Sequence, residues 1–364
     1  MTNILNLLKD LEPKGVQFAR IAELAQVGTG SSNRNESTGD GEFPFFVRSK
    51  TVYKSTEYEF DEEAIIIPGE GGIGDIFHYI SGKYALHQRA YRISFTDDRV
   101  QTKFALYYMK TAFKEFIMQK AVSATVTSIR KPMIEDFLIP LPSLEIQKEI
   151  VRILDTFTEL EAELEAELEA RKKQYEYYRN HLLTFEQQGG VRWVPMGEVA
   201  KIRNGSDWKA LPSGGIPVFG SGGKMGSVGT SVHDGPSVLI PRKGSLGNLF
   251  YLNEPFWTVD TCFYTEIDSS SCLPKFLYYY LKTQDLAALN LAGGVPSLTQ
   301  TQLNRILVPI PNIERQAEIV EILDKFDALV SDLSIGLPAE LKARRQQYEY
   351  YRNQLLTFKE IDAA

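Results

Sequence analysis

The sequence predicts a mixed α/β chain built twice over. Two globular parts are each followed by a long helix, and the helices pack as an antiparallel coiled coil about an internal pseudo-two-fold. Three observations carry this prediction. The first is a repeat that runs through the whole chain. The stretch "RKKQYEYYRNHLLTF" from Arg171 returns as "RRQQYEYYRNQLLTF" from Arg344, and "LPSLEIQKEIVRILDTFTEL" from Leu141 returns as "IPNIERQAEIVEILDKFDAL" from Ile310. The second is a heptad period in the segments that carry these matches. The third is a set of short β-type runs in the intervening parts, punctuated by Gly and Pro and followed by an aromatic helical stretch.

The globular parts take the spans 1–143 and 189–311. "VQFARIAELAQVGTG" from Val16 matches "VRWVPMGEVAKIRNG" from Val191, and "IPGEGGIGDIF" from Ile67 matches "IPRKGSLGNLF" from Ile240 without a gap. "EAIIIPG" and "SVLIPRKG" read as strands, as do "YALHQRAYRISF" and "WTVDTCFYTEI". The aromatic helical stretches start at Lys103 and Lys275. Strands mixed with helices in this order give a mixed α/β domain in each half. The opening Leu7-Leu8 also aligns with Leu182-Leu183.

The helical segments take 144–188 and 312–364. In the first, Ile150, Leu154, Phe157, Glu161, Leu164, Leu168, Arg171, Tyr175, Tyr178, Leu182 and Phe185 keep a 4,3 alternation, which is a coiled-coil seam. In the second, Ile319, Leu323, Phe326, Val330, Leu333, Leu337, Leu341, Arg344, Tyr348, Tyr351, Leu355 and Phe358 keep it with one extra step of four. That step falls near Gly336-Leu337-Pro338, so the helix either carries a stutter or restarts there. Matching seams in one chain satisfy each other by packing antiparallel, and about 40 residues at 1.5 Å each make a rod of roughly 60 Å.

Composition narrows the function. The 364 residues are 43% hydrophobic and 24% charged, the balance of a folded globular chain. No apolar run is long enough for a membrane span, no signal-peptide pattern opens the chain, and the expected location is cytoplasmic. Net charge is −7, which at first disfavours nucleic acid. The distribution reverses that. Residues 144–188 hold 6 Lys+Arg against 11 Asp+Glu and 312–364 hold 7 against 10, whereas 13–143 balance at 16 against 16 and 189–311 hold 10 against 8. The acid sits on the helices, and the globular parts are neutral or slightly basic.

Catalytic and metal patterns are missing. Cys262 and Cys272 have no metal-like spacing, and His78, His87, His181 and His233 are scattered. "GSGGKMGSVG" from Gly220 fails the phosphate-loop spacing, and "ELEAELEAELEA" from Glu159 is the solvated face of a coiled coil. Tyr107-Tyr108 and Tyr278-Tyr279-Tyr280 read as core packing ahead of base stacking. The chain reads as a non-enzyme, with no cofactor of its own.

The matching frameworks carry divergent polar loops: "GSSNRNESTGDGE" against "GSDWKALPSGGIPVFGSGGKMGSVG", and "AVSATVTSIRKP" against "GGVPSLTQTQLNR". These hold the donors that DNA recognition uses, Arg and Lys for guanine edges or phosphates and Asn and Gln for adenine edges. The candidate DNA contacts are Asn33, Arg34, Asn35, Arg89, Thr125, Thr127, Arg130 and Lys131 in the first half. In the second they are Arg203, Asn204, Lys209, Lys224, Arg242, Lys243, Ser245, Thr299, Gln302, Asn304 and Arg305. Tyr177, Arg179, Tyr350 and Arg352 belong to the repeated block but lie off the seam, and are candidate partner contacts.

The duplicated Q-Y-E-Y-Y-R block, the endings "IPLPSLEIQKEIVRILD" and "VPIPNIERQAEIVEILD", and "PMGEVAKIRNG" make the chain resemble, over its full length, the specificity subunit of type I restriction–modification enzymes. The resemblance implies two target-recognition domains that each read half of a bipartite site on double-stranded DNA, with the helices as spacer. It implies no catalysis by the chain itself. It also implies two modification subunits that methylate adenine with S-adenosylmethionine, and an ATP-driven restriction subunit. The four-residue mismatch departs from perfect symmetry. An orphan two-headed DNA-binding or inhibitory adaptor is the alternative.

Overall fold

The apolar run Ala64-Ile65-Ile66-Ile67 is buried on both faces, as a strand in the middle of a covered sheet must be. Ile65 and Ile67 face one apolar cluster, and Ala64 and Ile66 face another, the two-residue period of a strand. The structure is a computed structural model that describes residues 15–33, 40–120, 128–186, 190–290, 293–331 and 336–361. It divides into two units, Met1–Glu163 with Lys342–Ala364, and Leu164–Leu341.

In the first unit the elements follow as β1 (Gln17–Arg20), α1 (Ile21–Leu24), β2 (Ala25–Thr29), β3 (Phe43–Phe46), β4 (Tyr53–Ser55), β5 (Phe60–Pro68), β6 (His78–Leu86), β7 (Ala90–Phe95), α2 (Thr102–Lys120), α3 (Lys131–Glu135) and β8 (Leu138–Leu141). Six strands form one sheet in the order β2-β7-β5-β6-β3-β4, antiparallel except where β3 meets β6. β1 pairs separately with β8. Helix α2 covers the sheet with Phe104, Met109 and Phe113, all fully buried. Val16 donates its N–H to the Lys359 carbonyl at 2.8 Å and accepts one from Ile361 at 3.1 Å.

Helix α4 (Leu144–Leu182) runs for 39 residues through both units. Its start is capped by Ser143, whose hydroxyl accepts from the Ile146 N–H at 3.5 Å while its carbonyl takes the first helical bond from Gln147 at 3.0 Å. Within Glu161–Arg171, Glu161, Leu164, Leu168 and Arg171 are the half-buried residues and the others are exposed, which is the predicted seam. The first part of α4 packs in the first unit against helix α9 (Leu337–Leu355). Phe157 stacks on Tyr351 with ring centroids 5.6 Å apart, and Glu161 accepts from Arg345 Nε at 2.6 Å. Partners advance along one helix as they retreat along the other, so the packing is antiparallel.

The second unit repeats the plan. It contains β9 (Arg192–Pro195), α5 (Met196–Val199), β10 (Ala200–Asn204), β11 (Ile216–Gly220), β12 (Gly223–Val228), β13 (Ser237–Pro241), β14 (Phe250–Leu252), β15 (Trp257–Thr258), β16 (Cys262–Ile267), α6 (Pro274–Leu281), α7 (Gln300–Asn304), β17 (Leu307–Ile310) and α8 (Ile313–Ser331). Its sheets run β10-β16-β13-β14 and β12-β11-β15, with β9 paired to β17. Tyr175 and Tyr178 of α4 pack on Phe326 of α8 at 6.4 and 5.4 Å. Among the described residues the second helical segment forms two helices, Ile313–Ser331 and Leu337–Leu355. Its restart places Pro338 in the first turn of α9, with the Gly336 carbonyl accepting from Ala339 and Glu340. Leu333 and Leu7-Leu8 lie outside the described residues.

Each unit locks its long helix to its globular part with the same polar pair. The fully buried Gln147 accepts from the Gln101 N–H at 2.9 Å and donates to the Arg99 and Pro142 carbonyls, both at 2.8 Å. Gln316, also fully buried, accepts from the Leu273 N–H at 2.8 Å and donates to Ser271 at 3.0 Å and Pro311 at 2.9 Å. Asp155 takes Lys103 and the Tyr107 hydroxyl at 2.7 Å each, and Asp324 takes Lys275 at 2.7 Å and the Tyr279 hydroxyl at 2.6 Å.

Candidate nucleic-acid interface

In the first unit the candidates gather where β5 leaves the sheet. The Gly69 N–H donates to the Arg89 carbonyl at 2.9 Å, and the Ile129 N–H donates to the Gly69 carbonyl at 2.9 Å. Glu70 forms a bridge with Ser128, and Gly71 turns the chain with φ of +67°, a conformation that favours glycine. These bonds staple three loops around a cavity of about 310 Å³, lined by Thr29, Glu70, Gln88, Arg89, Tyr91 and Arg130 among others. The Glu70 carboxylate accepts from Arg48 at 2.8 Å and Arg89 at 3.2 Å. Gln88 donates to Asn33 at 2.6 Å, drawing that loop to the same rim. Arg130, just before α3, is exposed and makes no ion pair among the described residues, whereas Lys131 pairs with Glu135 at 3.4 Å. Arg34, Asn35, Thr125 and Thr127 lie outside the described residues.

Glu59 anchors the start of the Asn33 loop. It accepts from the Ser31 N–H at 2.8 Å, the Ser31 and Ser32 hydroxyls and the Leu86 N–H. Burial pushes its carboxyl up, and these hydrogen bonds more than offset that, holding it below its ordinary value.

In the second unit the corresponding turn follows β13. The Arg242 N–H donates to the Thr261 carbonyl at 2.8 Å, the Leu298 N–H donates to the Arg242 carbonyl at 2.9 Å, and Lys243 bridges Ser297. Gly244 takes φ of +83° and donates to the Pro296 carbonyl at 2.9 Å. The Arg242 guanidinium lies 5.7 Å over the Phe263 ring, while Lys243 and Ser245 are exposed. Asn248 donates to the Ser221 carbonyl at 3.3 Å, tying in the β11–β12 hairpin that carries the exposed Lys224.

Other candidates in this unit are already engaged. Arg203 holds Glu266 with two bonds at 3.1 and 3.0 Å, so the Glu266 carboxyl sits below its ordinary value. Thr299 and Gln302 form the capping box of α7, and Gln302 also donates to the Leu289 carbonyl at 2.7 Å. Asn204 accepts from Gln300 at 3.4 Å, and Asn304 packs against Gly197. Arg305 is exposed at the end of α7. The Lys209 backbone N–H donates to the Asp207 carboxylate at 3.3 Å.

The partner candidates are displayed on the helices. Tyr177 is 65% exposed and Tyr350 56%. Arg179 lies over Tyr175 at 5.6 Å and Arg352 over Tyr348 at 5.7 Å, each also bonded to the following Asn. Arg48, Glu59 and Glu70 escape a sequence reading because their partners come from distant loops. Gln147, Asp155 and their repeats had a signal, identity at matching places in both halves, that reads first as helix surface.

Compared with known sequences, the chain matches the model of the type I restriction modification DNA specificity domain at residues 13–170 and again at 190–343. The chain belongs to that family. It is 33% identical to the Escherichia coli type I restriction enzyme EcoR124I/EcoR124II specificity subunit over 299 residues, covering 72% of each chain. It is 29% identical to the Escherichia coli type I restriction enzyme EcoprrI specificity subunit, over 90% of this chain and 91% of that one. The fold is shared with the S subunit of a type I restriction-modification system from M. genitalium, with a TM-score of 0.69 at 19% identity over 96% and 97% of the two chains. No helix of the described residues is long and apolar enough to cross a membrane.

Proposed function

We propose that this specificity-family chain reads a bipartite sequence on double-stranded DNA, with residues 1–143 and 189–311 each addressing one half-site. The paired helices, 144–188 and 312–364, set the spacing and dock two modification subunits through faces that include Tyr177, Arg179, Tyr350 and Arg352. Restriction subunits join that assembly, and the chain itself carries no catalysis. The observation that carries this proposal is the pair of stapled turns, with one backbone plan in both units and different side chains on it. A scaffold that only held partners apart would have no need of divergent donors at matching places.

The candidates narrow accordingly. Arg89, Arg130 and Asn33 act together in the first unit, and Arg242, Lys243, Ser245 and Lys224 in the second. Arg203, Thr299 and Gln302 hold the scaffold on which those residues stand. The test is to express the chain with its modification subunit and map methylated adenines across a genome by single-molecule sequencing. A two-part motif with a fixed gap, lost when this chain is deleted, is the expected result. Assembly of the two proteins without new methylation would put the inhibitory adaptor first.

A further inference from the structure

The turn after the central strand keeps the same backbone bonds in the two units and carries opposite charge. In both, the first turn residue donates to the carbonyl of the turn residue just ahead of a neighbouring strand, Arg89 before β7 or Thr261 before β16, at 2.9 and 2.8 Å. In both, its carbonyl accepts from the segment ahead of the short helix, from Ile129 or Leu298, at 2.9 Å. In both, the next residue bridges a serine, Glu70 to Ser128 and Lys243 to Ser297, and a glycine at positive φ follows. Glu70 and Lys243 are therefore the same position with opposite charge.

Their surroundings differ to match. Glu70 lies between two guanidiniums, Arg48 and Arg89, whose side chains are 44% and 56% exposed. Thr261 stands where Arg89 does, so it offers Lys243 no charge, and Lys243 makes no ion pair among the described residues. A carboxylate between two arginines restricts their rotamers and aims their free N–H groups, as a bidentate contact to a base edge requires. An unpaired, exposed lysine on a rigid turn is itself a donor to a guanine edge. Such a turn changes the chemistry it presents without moving the backbone, which is what a specificity determinant needs.

We propose that this turn is the equivalent base-reading element of both units, with Lys243 as a direct contact in the second and Glu70 as the positioning residue for Arg48 and Arg89 in the first. The inference rests on the DNA-reading function proposed above. Its test uses the chain assembled with its modification subunit and the same methylation map, for the wild type and for Lys243→Ala, Lys243→Arg, Glu70→Ala and Glu70→Asp. Lys243→Ala is expected to relax base preference in one half of the motif by roughly tenfold to a hundredfold while the other half stays fixed. Lys243→Arg should retain that preference. Glu70→Ala should relax the opposite half only, with partial rescue by Glu70→Asp.

Unchanged motifs in all four variants would overturn the inference and leave the two-part reading intact. A uniform fall in methylation with no change of motif, from complexes that assemble normally, would also overturn it, because phosphate contacts or scaffold damage act on every sequence alike. A wild type that imposes no two-part motif would sink the underlying function and this inference with it.

Discussion

Gln147 shows how much of each unit depends on a side chain whose role no pattern flags. It is fully buried, and its amide answers one backbone N–H and two carbonyls drawn from two segments, Arg99–Gln101 and Pro142. Replacing it by Leu keeps the volume but leaves those backbone groups without partners in a place water does not reach. A buried unsatisfied group costs about 1–3 kcal/mol, so Gln147→Leu should lose about 3 kcal/mol in urea denaturation, and Gln316→Leu a similar amount. Indistinguishable midpoints for variant and wild type would show that the lock is dispensable. The aspartate pairs give a pH signature. Burial, and then the bond to Asp155 or Asp324, pushes the Tyr107 and Tyr279 hydroxyls above the ordinary tyrosine value. A raised folded value means that the stabilisation is complete below about pH 10, where the unfolded tyrosine titrates, and is lost as pH rises beyond it. Stability measured from pH 8 to 11 should therefore fall above pH 10, and less steeply in Tyr279→Phe. A flat profile in the wild type would contradict the assignment.

The long helices were the most legible elements because a coiled-coil seam is written in consecutive residues. Ile150, Leu154, Ile319, Leu323 and Leu355 all stand on the predicted seam and all are fully buried. Asp155 and Gln147 were illegible in their roles because most of their partners lie 46 to 52 residues away, on α2 and the loop before it. For the same reason the loops could be named as polar and divergent, but not which donors were already engaged, as Thr299 and Gln302 are in their capping box. Off the seam, the helices expose Tyr177 and Tyr350 at matching places, beside Tyr178 and Tyr351 at 5.5 and 5.3 Å between ring centroids. A large exposed ring held by its neighbour loses little freedom on binding, as interface anchors require. Tyr177→Ala and Tyr350→Ala should each weaken one docking event, by about 2 kcal/mol if the ring is an anchor. Native mass spectrometry near the dissociation constant should then find one modification subunit where the wild type holds two, and none in the double variant. Two subunits in every case would mark the rings as plain solvated surface. His181 stacks on Tyr177 at 6.0 Å, and Gln354 stands at its place in the repeat, so the two faces need not weaken equally.

For the whole molecule, charge separates what the chain does alone from what it does in a complex. The net charge of −7 resides on the helical segments, and the globular parts together are close to neutral. Of the proposed DNA contacts, Arg130, Lys209, Lys224, Arg242, Lys243 and Arg305 make no ion pair among the described residues, whereas Arg89, Lys131 and Arg203 are paired to carboxylates. Each phosphate neutralised contributes about −0.9 to the slope of log affinity against log salt, so half a dozen cations give a slope no steeper than about −5. The acidic helices oppose even that, since their repulsion grows as salt is lowered and its screening weakens. The isolated chain should therefore bind its own target weakly between 50 and 200 mM salt, with a shallow slope. If the modification subunits supply the remaining phosphate contacts, the assembled complex should bind more tightly and its slope should steepen by several units. Fluorescence anisotropy with a duplex carrying the mapped motif measures both. Equal affinities and equal slopes for the chain and the complex would mean that the chain holds the duplex by itself, and that its charge distribution misleads.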